Sequence, residues 1–187
     1  MSNPLYAILE DNPIIPGIKD DTGLEAVLNS DCKIVFVLYG NVLNISEIVR
    51  KIKERGKMVF INVDLLDGFS SKEIVIHYLK QNTQADGIMS AKASMIKAAK
   101  AQGFFTIHRF FLIDSLSFQN LDRQIEISGP DCIEILPGWP KVISWVTEKI
   151  NMPVIAGGLV CDKDSVVEAL KAGAAAISST NTEVWSM

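Results

Sequence analysis

The sequence predicts an α/β protein, a compact barrel of eight parallel strands and alternating helices whose final helix is short or absent. Short β-rich runs recur along the whole chain, and segments of helical period separate them. Strand, helix and strand alternate roughly every 20 to 28 residues. That rhythm implies parallel strands joined by right-handed crossovers. Eight strands with seven intervening helices then close a (β/α)8 barrel of TIM type. A doubly wound open sheet is the competing arrangement. No linker, low-complexity run or second domain is visible, so residues 1–187 are expected to form a single barrel-like domain.

The strands are read in order at 13–18, 33–39, 57–64, 86–89, 104–110, 132–136, 153–156 and 174–177. Between them, Ile45, Ile48, Val49 and Ile52 fall at i, i+3, i+4 and i+7, as does the set Val142, Ile143, Val146 and Ile150. Thr22 with Glu25, Asn44 with Glu47, and Ser70 with Glu73 have the spacing of capping boxes. Pro140 sits where a first helical residue tolerates proline. Gly56, Gly103 and Gly173 follow periodic segments, where a left-handed residue ends a helix.

Composition narrows the class. The chain is 48% hydrophobic and 21% charged, with mean hydropathy +0.23, which suits strands covered on both faces. No apolar run approaches the ~20 residues of a membrane span. The opening "MSNPLYAILEDNP" lacks a basic segment and a cleavage signature, so no export signal is expected there. Cys32, Cys132 and Cys161 are odd in number and scattered, which argues for a reducing compartment, the cytoplasm by default. Net charge is −4, so any nucleic-acid partner requires a local basic surface.

In barrels of this kind sites lie at the carboxyl ends of the strands, and phosphate commonly binds after strands seven and eight. "PVIAGGLV" and "AAAISSTN" occupy those positions. Gly157 and Gly158 either make a plain turn or bring amide N–H groups close to an anion. Ser178, Ser179, Thr180 and Asn181 add donors; alternatively Ser178, Ser179 and Thr180 form a turn into a short terminal segment, with Trp185 packing over a barrel end. Period-two alternation puts Asn62 with Asp64, and Thr106 with His108, on shared strand faces, and Glu134 opposite Ile133 and Ile135. The economical arrangement turns Asn62, Asp64, His108 and Glu134 into the barrel, as a hydrogen-bond network or as ligand contacts. Arg109 and Lys92 end two strands, within reach of a phosphate or an ion pair.

Catalytic chemistry finds little support. His77 sits inside an expected helix as a surface residue, and no cysteine and histidine spacing fits a metal site. There is no Walker motif or dinucleotide fingerprint, and Cys161 has no evident base to activate it. No cofactor is expected. One basic run stands out, "RKIKERGK", with Arg50, Lys51, Lys53, Arg55 and Lys57. It is either a solvated helix end, where cations favour the dipole, or a local polyanion-binding patch.

The ordered set "VDLLDG" (63–68), "DGIMSAK" (86–92), "RFFLIDS" (109–115), "IEILPG" (133–138), "IAGGL" (155–159) and "STNTEVW" (179–185) resembles the glycerol-3-phosphate-responsive glycerol uptake operon antiterminator family. The resemblance runs over roughly residues 8 to 185. It implies a barrel-fold regulator, not an enzyme, that binds glycerol 3-phosphate and acts on leader mRNA to prevent early transcription termination. Asp64, Asp67, Lys92, Arg109, Asp114, Glu134, Gly157, Gly158, Thr180 and Asn181 match the family pattern. Asn62 stands where the resemblance leads one to expect His, and His108 where it leads one to expect Gln. On this reading Gly157, Gly158, Ser179, Thr180, Asn181, Lys92 and Arg109 hold phosphate. Asn62, Asp64, His108 and Glu134 hold glycerol hydroxyls, and the basic run meets RNA. A homo-oligomer is compatible with it. The alternative is a small barrel enzyme for a glycerol-phosphate or phosphosugar, with Glu134 or Asp64 as acid or base.

Overall fold

The structure is a computed structural model that describes residues 4–187. Eight parallel strands close into a barrel in sequence order: β1 (Ile14–Ile18), β2 (Ile34–Val37), β3 (Met58–Asn62), β4 (Gly87–Ser90), β5 (Phe105–Phe111), β6 (Cys132–Leu136), β7 (Val154–Gly157) and β8 (Ala176–Ser179). β8 pairs with β1 through Ile14 and Ile177, Ile15 and Ser178, and Pro16 and Ser179, which closes the ring. Every expected strand is present, within a few residues of its expected ends.

The helices are α1 (Pro4–Asp11), α2 (Asp21–Leu28), α3 (Ile45–Lys53), α4 (Ile74–Asn82), α5 (Ala93–Ala101), α6 (Ser115–Gln119), α7 (Leu121–Ser128), α8 (Pro140–Lys149), α9 (Lys163–Lys171) and α10 (Thr182–Trp185). The last is short, as expected. Ile45, Ile48, Val49 and Ile52 are all buried beneath α3, and Pro140 opens α8. Gly56, Gly103 and Gly173 have φ of 71°, 74° and 104°, the left-handed conformation their positions require.

Helix starts were the least legible feature, and three expectations are corrected. The side chain that caps α2 is Asp20, which accepts from Gly23 N, so the Thr22 box does not form. At α3 the Asn44 side chain does not cap the helix: its Oδ1 accepts from Asn41 N at 2.7 Å, while Asn41 Oδ1 accepts from Leu43 N and Asn44 N. At α4 no side chain caps the helix, so the Ser70 box is also absent. The capping boxes that do form pair Asp114 with Ser117 and Asp162 with Ser165.

The barrel interior is apolar in its lower half. Ile15, Ile34, Phe36, Phe60, Met89, Ile107, Cys132, Ile155 and Ala176 pack there with Leu5 and Leu9 of α1. Helix α1, which the sequence reading did not anticipate, closes the amino-terminal end of the barrel, and Tyr6 Oη donates to the Asp131 carbonyl at 2.8 Å. Gly87 makes room for this packing, since a Cβ there would lie 2.2 Å from the Phe60 ring. The outward faces of the strands build two further clusters under the helices. With its floor plugged by hydrocarbon, the barrel offers a ligand its carboxyl mouth.

Candidate functional site

At the mouth lies a cavity of about 240 Å³ whose lining includes Phe36, Leu38, Arg109, Glu134, Leu159, Ser178 and Thr180. Its floor is a buried charge network. β5 and β6 pair Arg109 with Glu134 in register, so both side chains project from the same face of the sheet, into the barrel. Arg109 Nε donates to Glu134 Oε2 at 2.6 Å, and Ser178 Oγ donates to Glu134 Oε1 at 2.5 Å. Glu134 is fully buried while Arg109 keeps a minor exposed part. A carboxylate this deep requires the cation and the hydroxyl that it has. Among the described residues Arg109's remaining guanidinium N–H groups have no hydrogen-bond partner, so they can meet an anion above it.

Gly157 and Gly158 serve different purposes. A Cβ on Gly157 would stand 2.6 Å from Ser178 Oγ and 2.7 Å from Glu134 Oε1, so this position is empty because the network fills it. Gly158 has φ 67° and is followed by Leu159 with φ 57°, a left-handed pair that carries the exposed Leu159 side chain over the cavity. A non-glycine residue in that region is strained, typically at an active or binding loop.

Ser179 and Asn181 line the cavity but hold the loops together. Ser179 Oγ donates to the Val160 carbonyl at 3.0 Å, and Asn181 Nδ2 donates to the Cys161 carbonyl at 2.8 Å. Asn181 Oδ1 also accepts from Glu183 N to start α10. Trp185 Nε1 donates to the Ser179 carbonyl at 2.7 Å and packs against the barrel end, as expected. Thr180 differs: among the described residues its hydroxyl has no hydrogen-bond partner, and it lies between this cavity and the neighbouring one near Lys19 and Thr22.

The other expected ligand contacts lie elsewhere on the rim. β3 ends at Asn62, and Asp64 belongs to the 3-10 turn that follows, so the shared-face argument for this pair is corrected. Asn62 Oδ1 accepts from Asp64 N at 3.1 Å and shapes that turn. The Asp64 carboxylate accepts from Ser90 Oγ at 2.9 Å and from Ala91 N at 2.6 Å. Lys92 Nζ donates to Ser71 Oγ at 2.5 Å and stands 3.9 Å from Asp64. Asn62, Asp64 and Lys92 therefore form a second polar cluster over β3 and β4, apart from the cavity lining.

His108 is the clearest correction. It pairs in register with Ile133, on the outward face, and its ring lies against α7 rather than inside the barrel. Nδ1 is 2.8 Å from Ser128 Oγ, and Nε2 is 3.4 Å from the Ala91 carbonyl. The Ser128 hydroxyl donates to the Gln124 carbonyl at 2.8 Å, so its oxygen accepts from Nδ1–H. Burial pushes the His108 pKa down to about 4, against an opposing pull from the Ala91 carbonyl and the Asp64 charge. The imidazole is neutral at physiological pH.

The basic run is mostly committed within the fold. Arg50 pairs with Glu47 and Glu54. Lys53 Nζ binds both Asp86 carboxylate oxygens at 2.8 Å. Lys57 is buried and donates to the Ser30 and Cys32 carbonyls at 2.6 and 2.9 Å. Lys51 and Arg55 alone in this run make no side-chain hydrogen bond or salt bridge among the described residues.

The site residue that sequence reasoning undervalued is Ser178. Its signal was present: Ala176 and Ser178 share a face by period two, and Ala176 lies in the interior cluster.

The sequence matches the family described as "Glycerol-3-phosphate responsive antiterminator" over residues 14–185. It is 57% identical to "Uncharacterized protein YgcP" of Escherichia coli over 185 residues, 98% of this chain and 97% of that one. The crystal structure of a glycerol uptake operon antiterminator regulatory protein from Listeria monocytogenes superimposes with TM-score 0.92 at 30% identity, covering 100% of this chain and 99% of that one. A glycerol uptake operon antiterminator-related protein from Thermotoga maritima gives TM-score 0.83 at 32% identity, covering 94% and 99%. The chain belongs to the glycerol-3-phosphate responsive antiterminator family.

Proposed function

We propose that this protein is a cytoplasmic regulator that senses glycerol 3-phosphate at the barrel mouth and acts on leader mRNA to prevent premature transcription termination. The observation that carries the ligand half is the position of Arg109. Among the described residues lining the cavity it is the one cation, with free N–H groups beside the Gly158 turn and the Thr180 hydroxyl. A phosphate group there meets a fork of charged donors and open backbone. The cavity of about 240 Å³ holds a ligand of about eight water volumes, the scale of a three-carbon phosphate. Glu134 supports a binding role over proton transfer, since Arg109 and Ser178 occupy both of its oxygens.

Regulation then follows by linkage. Glycerol 3-phosphate shifts RNA binding only by its preference for the RNA-competent state. The test is thermal unfolding with glycerol 3-phosphate, glycerol and inorganic phosphate, followed by leader-RNA binding with and without the best ligand. Glycerol 3-phosphate is expected to stabilise most, by about 2.7 kcal/mol at a hundred times its dissociation constant. It is also expected to change RNA affinity while remaining chemically intact. Turnover of glycerol 3-phosphate would overturn the regulator reading, and the absence of any shift would overturn the ligand.

A further inference from the structure

Outside the mouth, a groove of about 760 Å³ runs between α6 and α8, lined mainly by Leu112, Ile113, Phe118, Trp139, Val142 and Trp145. Trp139 is 56% exposed, Trp145 48%, Ile113 81% and the adjacent Leu116 63%. Such a concentration of large apolar side chains marks an interaction surface, and two exposed tryptophans are the residues that anchor protein interfaces.

The charges on α8 identify the partner. Lys141 and Glu148 are seven residues apart, on one face of the helix, with Trp145 between them. Among the described residues Lys141 contacts only the Trp145 ring, at 5.3 Å, and Glu148 only the Ser144 hydroxyl, at 3.2 Å. Among the described residues neither charge has an ionic partner. We infer that this face binds a second copy of the chain about a two-fold axis passing near Ser144 and Trp145. In an antiparallel pairing of α8 with its mate, Lys141 of each copy stands opposite Glu148 of the other. Each Trp145 then enters the groove of the facing copy. Such an isologous contact needs a self-complementary patch, and this helix supplies one. RNA fits the groove less well. Its charged lining residues are Asp114, Glu148 and Lys149, a net acidic set, and Lys149 is already paired with Asp122 at 2.9 Å. This inference is independent of the ligand bound at the mouth.

The test measures mass in solution across a concentration series for the full chain, with circular dichroism to verify folding. The wild type is expected to be a dimer, and Trp145→Glu a folded monomer. Lys141→Glu and Glu148→Lys should each weaken association about tenfold, and the double exchange should restore it, because both cross-pairs re-form with reversed sign. A wild type that remains monomeric at every concentration overturns the proposal. So does a dimer that survives Trp145→Glu, or a double exchange no stronger than its parents. Loss of RNA binding in Trp145→Glu with mass unchanged would instead assign the groove to RNA.

Discussion

Arg109 and Glu134 face each other across β5 and β6, with Nε donating to Oε2 at 2.6 Å on the floor of the mouth. The carboxylate is fully buried and the guanidinium nearly so. Removing the cation alone therefore strands a charge in the barrel. Arg109→Met is expected to cost about 3 kcal/mol in urea unfolding. Glu134→Gln should cost less, because the amide still accepts from Ser178 and Arg109 can reach solvent. The double variant should recover a large part of the Arg109→Met loss. Strict additivity would show that the two residues are not coupled.

The two glycines of the β7 loop make opposite demands, and alanine separates them. At Gly157 the backbone is ordinary, but the new Cβ collides with Ser178 Oγ and Glu134 Oε1. At Gly158 the nearest atom is Leu136 Cδ2 at 3.2 Å, and φ of 67° is the obstacle. Gly157→Ala should cost about 1–3 kcal/mol through overpacking, and Gly158→Ala about 1–2 kcal/mol through backbone strain. Gly157→Ala should also diminish the thermal shift given by glycerol 3-phosphate, since it displaces the network that orients Arg109. An intact shift in that variant would separate ligand binding from the network.

His108 supplies a pH dependence. Its folded pKa is pushed down to about 4 by burial, against about 6.5 in an unfolded chain. Between those values the unfolded chain holds a proton that the folded protein excludes, so stability falls as pH drops from about 6.5 towards 4. The contribution over the full window is about 3 kcal/mol. His108→Gln should flatten this part of the pH–stability profile. An unchanged profile would place the acid-sensitive group elsewhere.

The barrel was legible because parallel strands buried on both faces read as unbroken β-branched runs between turn glycines. Orientation within β5 was not. One face carries Phe105, Ile107 and Arg109 and the other Thr106, His108 and Phe110, so each mixes apolar and polar side chains. The choice rests on distant packing: Ile107 fills the barrel beside Phe36 and Phe60, which sends His108 towards Ser128 on α7. Helix α1 announced itself only through the i, i+4 pair Leu5 and Leu9, whose role depends on the barrel floor they close. The helix starts were missed because the boxes that form use Ser rather than Glu at the third helical position.

The basic run "RKIKERGK" divides by partner, and its charges should divide by effect. Lys57 is buried with two carbonyls as acceptors, so Lys57→Ala leaves buried groups unsatisfied and should cost about 1–3 kcal/mol of stability. Lys53 holds Asp86, whose Oδ2 also accepts from Val59 N at 2.8 Å. Lys53→Ala should therefore loosen the α3 to β3 connection, by about 1 kcal/mol given its partial exposure. Lys51 and Arg55 have no such duties. They flank the α3 end that faces away from the mouth, where a basic surface is needed if an acidic protein is to hold RNA. Lys51→Ala with Arg55→Ala should leave the unfolding midpoint and the ligand-induced shift unchanged, and should weaken RNA binding across sequences. On a single strand the loss of two phosphate contacts should flatten the slope of log affinity against log salt by about 1.4. The measurement is leader-RNA affinity at several salt concentrations with glycerol 3-phosphate present. An unchanged slope would make these two cations an ordinary solvated helix end, and would move the RNA contact to the exposed lysine over β4, Lys92, and its neighbours on the rim.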